Sequence, residues 1–247
     1  MSPDGFSTVS RSGSGAPPRS VIGLSRFQLA VALGMLLAGL LFYPRLPERV
    51  PMHWNVHGQI DRWGARNLFN VFFPPLLVLG MALLAWLLPR IDPLKRSYAR
   101  FRGSYYLIID IIVALLALLY GITLYSAFHP GWPVGIIVPA AIGLLFAVIG
   151  NQLAKVRRNF LIGFRTPWAL ASEAVWVRTH RIGARIFVLA GIGAAAAAFL
   201  PAPWNAIVFM VLVLGAVLAI FVASYLIHRQ LEARGKLGDR LVGPGRE

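Results

Sequence analysis

The sequence predicts an all-α integral membrane protein with six helical spans and both termini in the cytoplasm. Three observations carry that expectation. Hydrophobic residues make up 57% of the 247 and charged residues 13%, with a mean hydropathy of +0.68. The apolar residues fall in six long runs rather than alternating with polar ones, which is the composition of spanning helices and not of a soluble domain. The 24 basic residues are segregated. Three precede the first run, five lie between Arg90 and Arg102, seven between Lys155 and Arg185, and five after His228, whereas the opposite side holds only Arg45, Arg49, Arg62 and Arg66. Basic residues concentrate on the cytoplasmic side, so this 20 to 4 division places the termini there. It also accounts for the net charge of +15 and the pI near 11.4 without any direct contact to nucleic acid. The chain has no cysteine, which excludes disulfides, thiolate metal sites and cysteine nucleophiles.

Residues 1–25 are rich in Gly, Ser and Pro and read as a disordered cytoplasmic tail. Residues 26–90 form a first helix hairpin. Its opening run, about Phe27 to Tyr43, is long for a signal peptide and no clear cleavage site follows, so it reads as an uncleaved span. The outer loop 44–67 contains three prolines, two histidines and two tryptophans, and the run from about Leu68 to Leu88 returns. Residues 91–153 form a second hairpin, its spans joined by the turn His129 to Pro133. Residues 154–185 are a cytoplasmic amphipathic segment. Residues 186–228 are about 40 mostly apolar residues broken at Pro201 to Trp204, enough at about 1.5 Å per residue to cross a core of about 30 Å twice. Residues 229–247 are a second cytoplasmic tail.

Within 154–185, Thr166 before Pro167 is a helix-start signal, because Thr accepts from an orphan N–H and Pro needs no donor at the first helical position. Ser172 before Glu173 is another. From there a helix places Val175, Thr179, Ile182 and Ile186 on one side and Arg178, Arg181 and Arg185 on another, the pattern of a basic helix lying on a membrane surface. Glu173, Trp176 and His180 share a face, and Arg165 lies just before it. An acid, a titratable imidazole and a planar guanidinium suit a polar ligand or partner. Dipole stabilisation by Glu173 and anchoring by the arginines explain the same residues without a site.

In the outer loop, His53, His57 and Asp61 recur every fourth residue, which on a helix would suit zinc or copper(II). Pro51 and Gly58 oppose a helix there. Asn55 with Gly58 fits turn chemistry, so a structured cap packed by Trp54 and Trp63 is the expectation, with no metal and no cofactor. Asp110 lies inside the third span, where an ionisable group is a candidate for function. Tyr106 and Arg102, one and two turns back, are its expected partners. Gly34, Gly39, Gly143, Gly191 and Gly193 suit close helix approach. No Walker loop, dinucleotide fingerprint, HExxH zinc motif or GxSxG elbow is present, and the chain reads as non-enzymatic.

Two stretches carry a resemblance. The outer PMHWNVHGQIDRWG resembles a small bacterial membrane domain of unknown function that precedes a second span. The inner IGFRTPWALASEAVWVRTHRIG, with Arg165, Thr166, Pro167, Glu173, Trp176 and His180, resembles the signature of the SdpI family. Together they are similar to SdpI-type immunity proteins over roughly Phe27 to Ile227. That resemblance implies a multi-pass bacterial inner-membrane protein that protects its host from a secreted peptide toxin outside and, in some members, holds a transcriptional repressor inside. His53, Asn55 and Asp61 are then candidates for recognition on the outer side, and Arg165, Glu173, Trp176 and His180 for a partner on the inner side. The competing expectation is a small ion- or solute-transporting protein, with Asp110 and the outer histidines as its polar path. A membrane metalloenzyme using His53, His57 and Asp61 is the third.

Overall fold

The computed structural model describes residues 22–235 and 237. Among the described residues, six helices are long and apolar enough to cross a membrane: α1 (Arg26–Phe42), α2 (Leu68–Ile91), α3 (Arg102–Phe128), α4 (Val134–Leu153), α6 (Glu173–Ala197) and α7 (Trp204–Ala233). A short α5 (Pro167–Ala171) precedes α6, and a hairpin of β1 (Arg49–Trp54) and β2 (Ile60–Ala65) joins α1 to α2. The molecule is a multi-pass membrane protein. Its outer helix faces confirm the solvent they require, since side chains such as Leu33, Leu189, Val211 and Leu218 are more than half exposed and would be costly in water.

Local chemistry sets the helix starts. Ser25 accepts from Gln28 N, Asn67 from Asn70 N and Thr166 from Ala169 N, with Pro167 at the first position of α5. Ser172 takes the extended cap conformation before α6 but its hydroxyl makes no capping bond. The reading of 1–25 as a tail differs from the structure at its end: Ile22 is buried, and Arg90 donates to its carbonyl at 2.9 Å. Residues 1–21 lie outside the described region. At the other end α7 continues to Ala233 with Leu231 buried, so helix extends past the boundary expected at 228.

The largest difference concerns the central segment. No surface helix separates from the fifth span at residue 185: α6 runs without a break from Glu173 to Ala197. Val175, Trp176, Thr179, His180, Gly183 and Ala184 are buried, while Ile182 is exposed on the side of Arg178, Arg181 and Arg185. Glycine contacts explain it. A Cβ at Gly150 would stand 2.8 Å from Val188 N, and one at Gly143 would stand 2.7 Å from Ala195 Cα, so the backbones of α4 and α6 touch. α4 therefore packs far more closely on α6 than on α3, its neighbour in the expected second hairpin. Gly34, by contrast, faces open space. Two buried clusters result. One joins α1, α2 and α3 beneath the hairpin, around Val50, Val78 and Val113, and the other surrounds Tyr98, Tyr105 and Trp176 at the opposite end.

Candidate functional site

The hairpin is built by its turn. Asn55 Oδ1 accepts from His57 N at 2.9 Å and Gln59 N at 3.0 Å, and Gly58 adopts φ +73°. Asn55 thus organises the turn as its type and spacing suggested. Gly58 sits directly on Gly135 in the first turn of α4, where an added Cβ would stand 2.7 Å from Gly135 N. At the base, Arg66 donates to Leu46 O at 2.8 Å and lies over the Tyr43 ring. The strands pair His53 opposite Arg62, and His53 Nδ1 lies 2.6 Å from Asp61 Oδ1. Both side chains are exposed, so the contact holds the strand ends in register and contributes little stability. A hairpin replaces the helix that equal spacing would have needed. Among the described residues no three His, Asp or Glu side chains come together as a metal site.

Docking the hairpin on α4 bounds a partly open cavity of about 480 Å³ between its tip and the adjoining ends of α3, α4 and α7. Leu119, Ile122, Val138, Ile142 and Phe209 make most of its wall. Its polar atoms are largely engaged already, Thr123 Oγ1 with Leu119 O and Asn205 Oδ1 with Ala206 N. Trp54 Nε1 differs: it is buried and has no hydrogen-bond partner among the described residues. A buried donor left without an acceptor beside an apolar cavity is where a carbonyl or hydroxyl that reaches it gains most. Trp54 was expected only to pack the cap. No local pattern marked it, because the cavity depends on α3, α4 and α7.

At the opposite end the central motif folds into a latch. His180 Nδ1 is 2.9 Å from Trp176 O, and its Nε2 accepts from Phe164 N at 3.0 Å, which assigns the proton to Nδ1. The imidazole stacks on Trp176 with centroids 4.0 Å apart, and Trp176 Nε1 donates to Val156 O. Asn159 clamps the loop, accepting from Leu161 N and Ile162 N and donating to Ile162 O. Asp92 ties this loop to the one after α2, accepting from Leu94 N, Tyr98 OH and Phe160 N. Burial, then the Asp92 hydrogen bond, pushes the Tyr98 phenol well above its ordinary value. Of the four inner candidates, Trp176 and His180 meet. Glu173 instead pairs with Arg158 at 3.5 Å, and Arg165 donates to Phe160 O.

Asp110 takes partners other than Tyr106 and Arg102. Gln28 Nε2 donates to its Oδ1 at 2.7 Å, tying α3 to the start of α1, while the Tyr106 hydroxyl bonds the Gly23 backbone. This cluster lies at the end of α1 away from the hairpin. The structure therefore does not bring Asp110 together with the outer histidines.

Comparison with known proteins bears on both ends. Residues 155–225 match the SdpI/YfhL protein family. The central segment of this chain is similar to that family. It spans the latch, α5, α6 and most of α7. Residues 30–79, covering most of α1, the hairpin and half of α2, match a domain of unknown function (DUF1648). A curated relative, Immunity protein SdpI of Bacillus subtilis (strain 168), is 27% identical over 195 residues, which are 79% of this chain and 91% of that protein. No solved structure matches. The SdpI/YfhL likeness, with six apolar helices, makes this a multi-pass bacterial membrane protein.

Proposed function

We propose that the protein confers immunity to a secreted peptide toxin by binding an apolar part of it beneath the hairpin. The observation that carries this reading is the apolar cavity of about 480 Å³ lined in part by Trp54, whose buried Nε1 has no hydrogen-bond partner among the described residues. An apolar side chain fills such a space, and the indole N–H takes a peptide carbonyl. The likeness to a protein named for immunity supports the same reading. The division of basic residues supports an outward-facing hairpin, where a secreted peptide arrives. His53, Asn55 and Asp61 hold the cap over the cavity, and Trp54 makes the contact. The activity is binding, and no reacting group is required. On the other face, the reading keeps Arg165 and Glu173, beside the stacked Trp176 and His180, for a held repressor.

The test is survival of a toxin-sensitive bacterium expressing the chain, challenged with culture supernatants of related strains. Val138→Trp, which fills the cavity, abolishes protection at unchanged membrane abundance. Trp54→Phe keeps an aromatic side chain but loses the indole N–H, removing one hydrogen bond of about 1 kcal/mol and lowering protection about fivefold. Full protection by Val138→Trp at matched abundance would remove the cavity from the mechanism.

A further inference from the structure

On the face opposite the hairpin, a cleft of about 380 Å³ opens between the loop after α2 and the loop after α4, beside the start of α6. Five cationic side chains line it: Lys95, Arg96 and Arg100 from one loop, Arg157 and Arg158 from the other. The carboxylate on the lining, Glu173, is engaged by Arg158 at 3.5 Å. Among the described residues, Lys95, Arg96, Arg100 and Arg157 have no carboxylate within 4.0 Å. Asp92 lies beneath, its oxygens occupied by Leu94 N, Tyr98 OH and Phe160 N. Ser97 also lines the cleft, and its buried hydroxyl has no partner among the described residues.

On free loops these like charges would move apart. Here Asp92 bonds both loops, and Tyr98 reaches Asn159, so the two sets of cations are held facing one another. Such a concentration of positive charge is relieved by a bound anion. We infer that the cleft binds the phosphate headgroup of an anionic phospholipid. Guanidinium forks match phosphate oxygens in pairs, and the Ser97 hydroxyl supplies a further neutral donor. Position selects a lipid over a soluble phosphate. The cleft sits where α2, α3, α4 and α6 end, at the depth of headgroups, and the exposed apolar stripe Leu84, Leu87, Ile91 of α2 ends two residues before Pro93 on its lining. Acyl chains lie along that stripe while the phosphate enters the cleft.

Purified full-length protein in detergent is titrated with phosphatidylglycerol, phosphatidylcholine and inorganic phosphate, read by native mass spectrometry and thermal melting. Phosphatidylglycerol binds and raises the melting temperature; the other two do not. Combining Arg96→Gln, Arg100→Gln and Arg157→Gln weakens binding roughly 100-fold, about fivefold for each charge lost at the surface. Combining Arg178→Gln, Arg181→Gln and Arg185→Gln removes equal charge from the exposed side of α6 and leaves binding intact. Ser97→Ala alone weakens binding about fivefold, and Glu173→Gln strengthens it several-fold. Equal loss in both triple variants would mean general attraction without a site. Equal stabilisation by inorganic phosphate would make the ligand soluble. A cleft variant that keeps phosphatidylglycerol but loses an acidic polyglutamate peptide would assign the cleft to a protein partner. Where the cleft variant does not fold, unchanged lipid binding by both Ser97→Ala and Glu173→Gln overturns the assignment.

Discussion

Asp92 sits one residue past the end of α2, in a stretch that reads from sequence as a basic loop. Its carboxylate accepts from Tyr98 OH at 2.6 Å, Phe160 N at 2.9 Å and Leu94 N at 2.7 Å, and so joins two loops 68 residues apart. Aspartate followed by proline is turn chemistry, so the Leu94 bond was legible. The Phe160 bond was not, because sequence does not say which loops meet. Tyr98→Phe leaves one carboxylate oxygen with a donor fewer and costs about 1–3 kcal/mol, read as a lower melting temperature in detergent. The pH dependence follows from the raised phenol. A folded-state value above the ordinary 10.0 means that this bond contributes its full stability below that pH. Its contribution is lost as pH rises further, so melting temperatures of the parent and Tyr98→Phe proteins converge above about pH 10. A constant difference through that range would show that the hydroxyl acts otherwise.

Elements bring a second kind of information. The hairpin was expected as a cap, and Asn55 and Gly58 announced its turn, but the role of Gly58 comes from what lies beneath it. Its positive φ costs a Cβ-bearing residue about 1–2 kcal/mol, and a Cβ would also enter the backbone of Gly135. Gly58→Ala therefore lifts the hairpin from α4. Amide exchange across Arg49–Ala65 accelerates at least about tenfold, while exchange in α3 and α6 is unchanged. Gly103→Ala, at a position with nothing within 4 Å, serves as the tolerated comparison. Unaltered exchange in the hairpin would mean that it is held by its base alone, through Arg66. Helix α6 teaches the complementary point. Arginines on one side and apolar residues on the other describe a surface helix and the entrance of a span equally well. Contact of Gly143, Gly150 and Gly191 across α4 and α6 decides for the span.

For the whole molecule, the distribution of basic residues is an electrostatic argument that orientation experiments can check. The chain lacks cysteine, so single replacements report without background. Gln59→Cys at the hairpin tip should label with an impermeant thiol reagent in intact cells, whereas Lys155→Cys and Ala171→Cys should label only after lysis. External labelling of Ala171→Cys would reverse the orientation and place the hairpin inside. Span number, the approximate limits of every span but the fifth, and the existence of a folded outer cap were determined by sequence alone, since transfer of apolar runs from water and turn chemistry at Asn55 and Gly58 act over a few neighbouring residues. Helix pairing, the cavity wall, the Asp92 and His180 latches and the convergence of five cations were decided only by tertiary structure. Each depends on backbones meeting at glycines or on polar groups finding partners dozens of residues away, and such pairings leave no local periodicity to read.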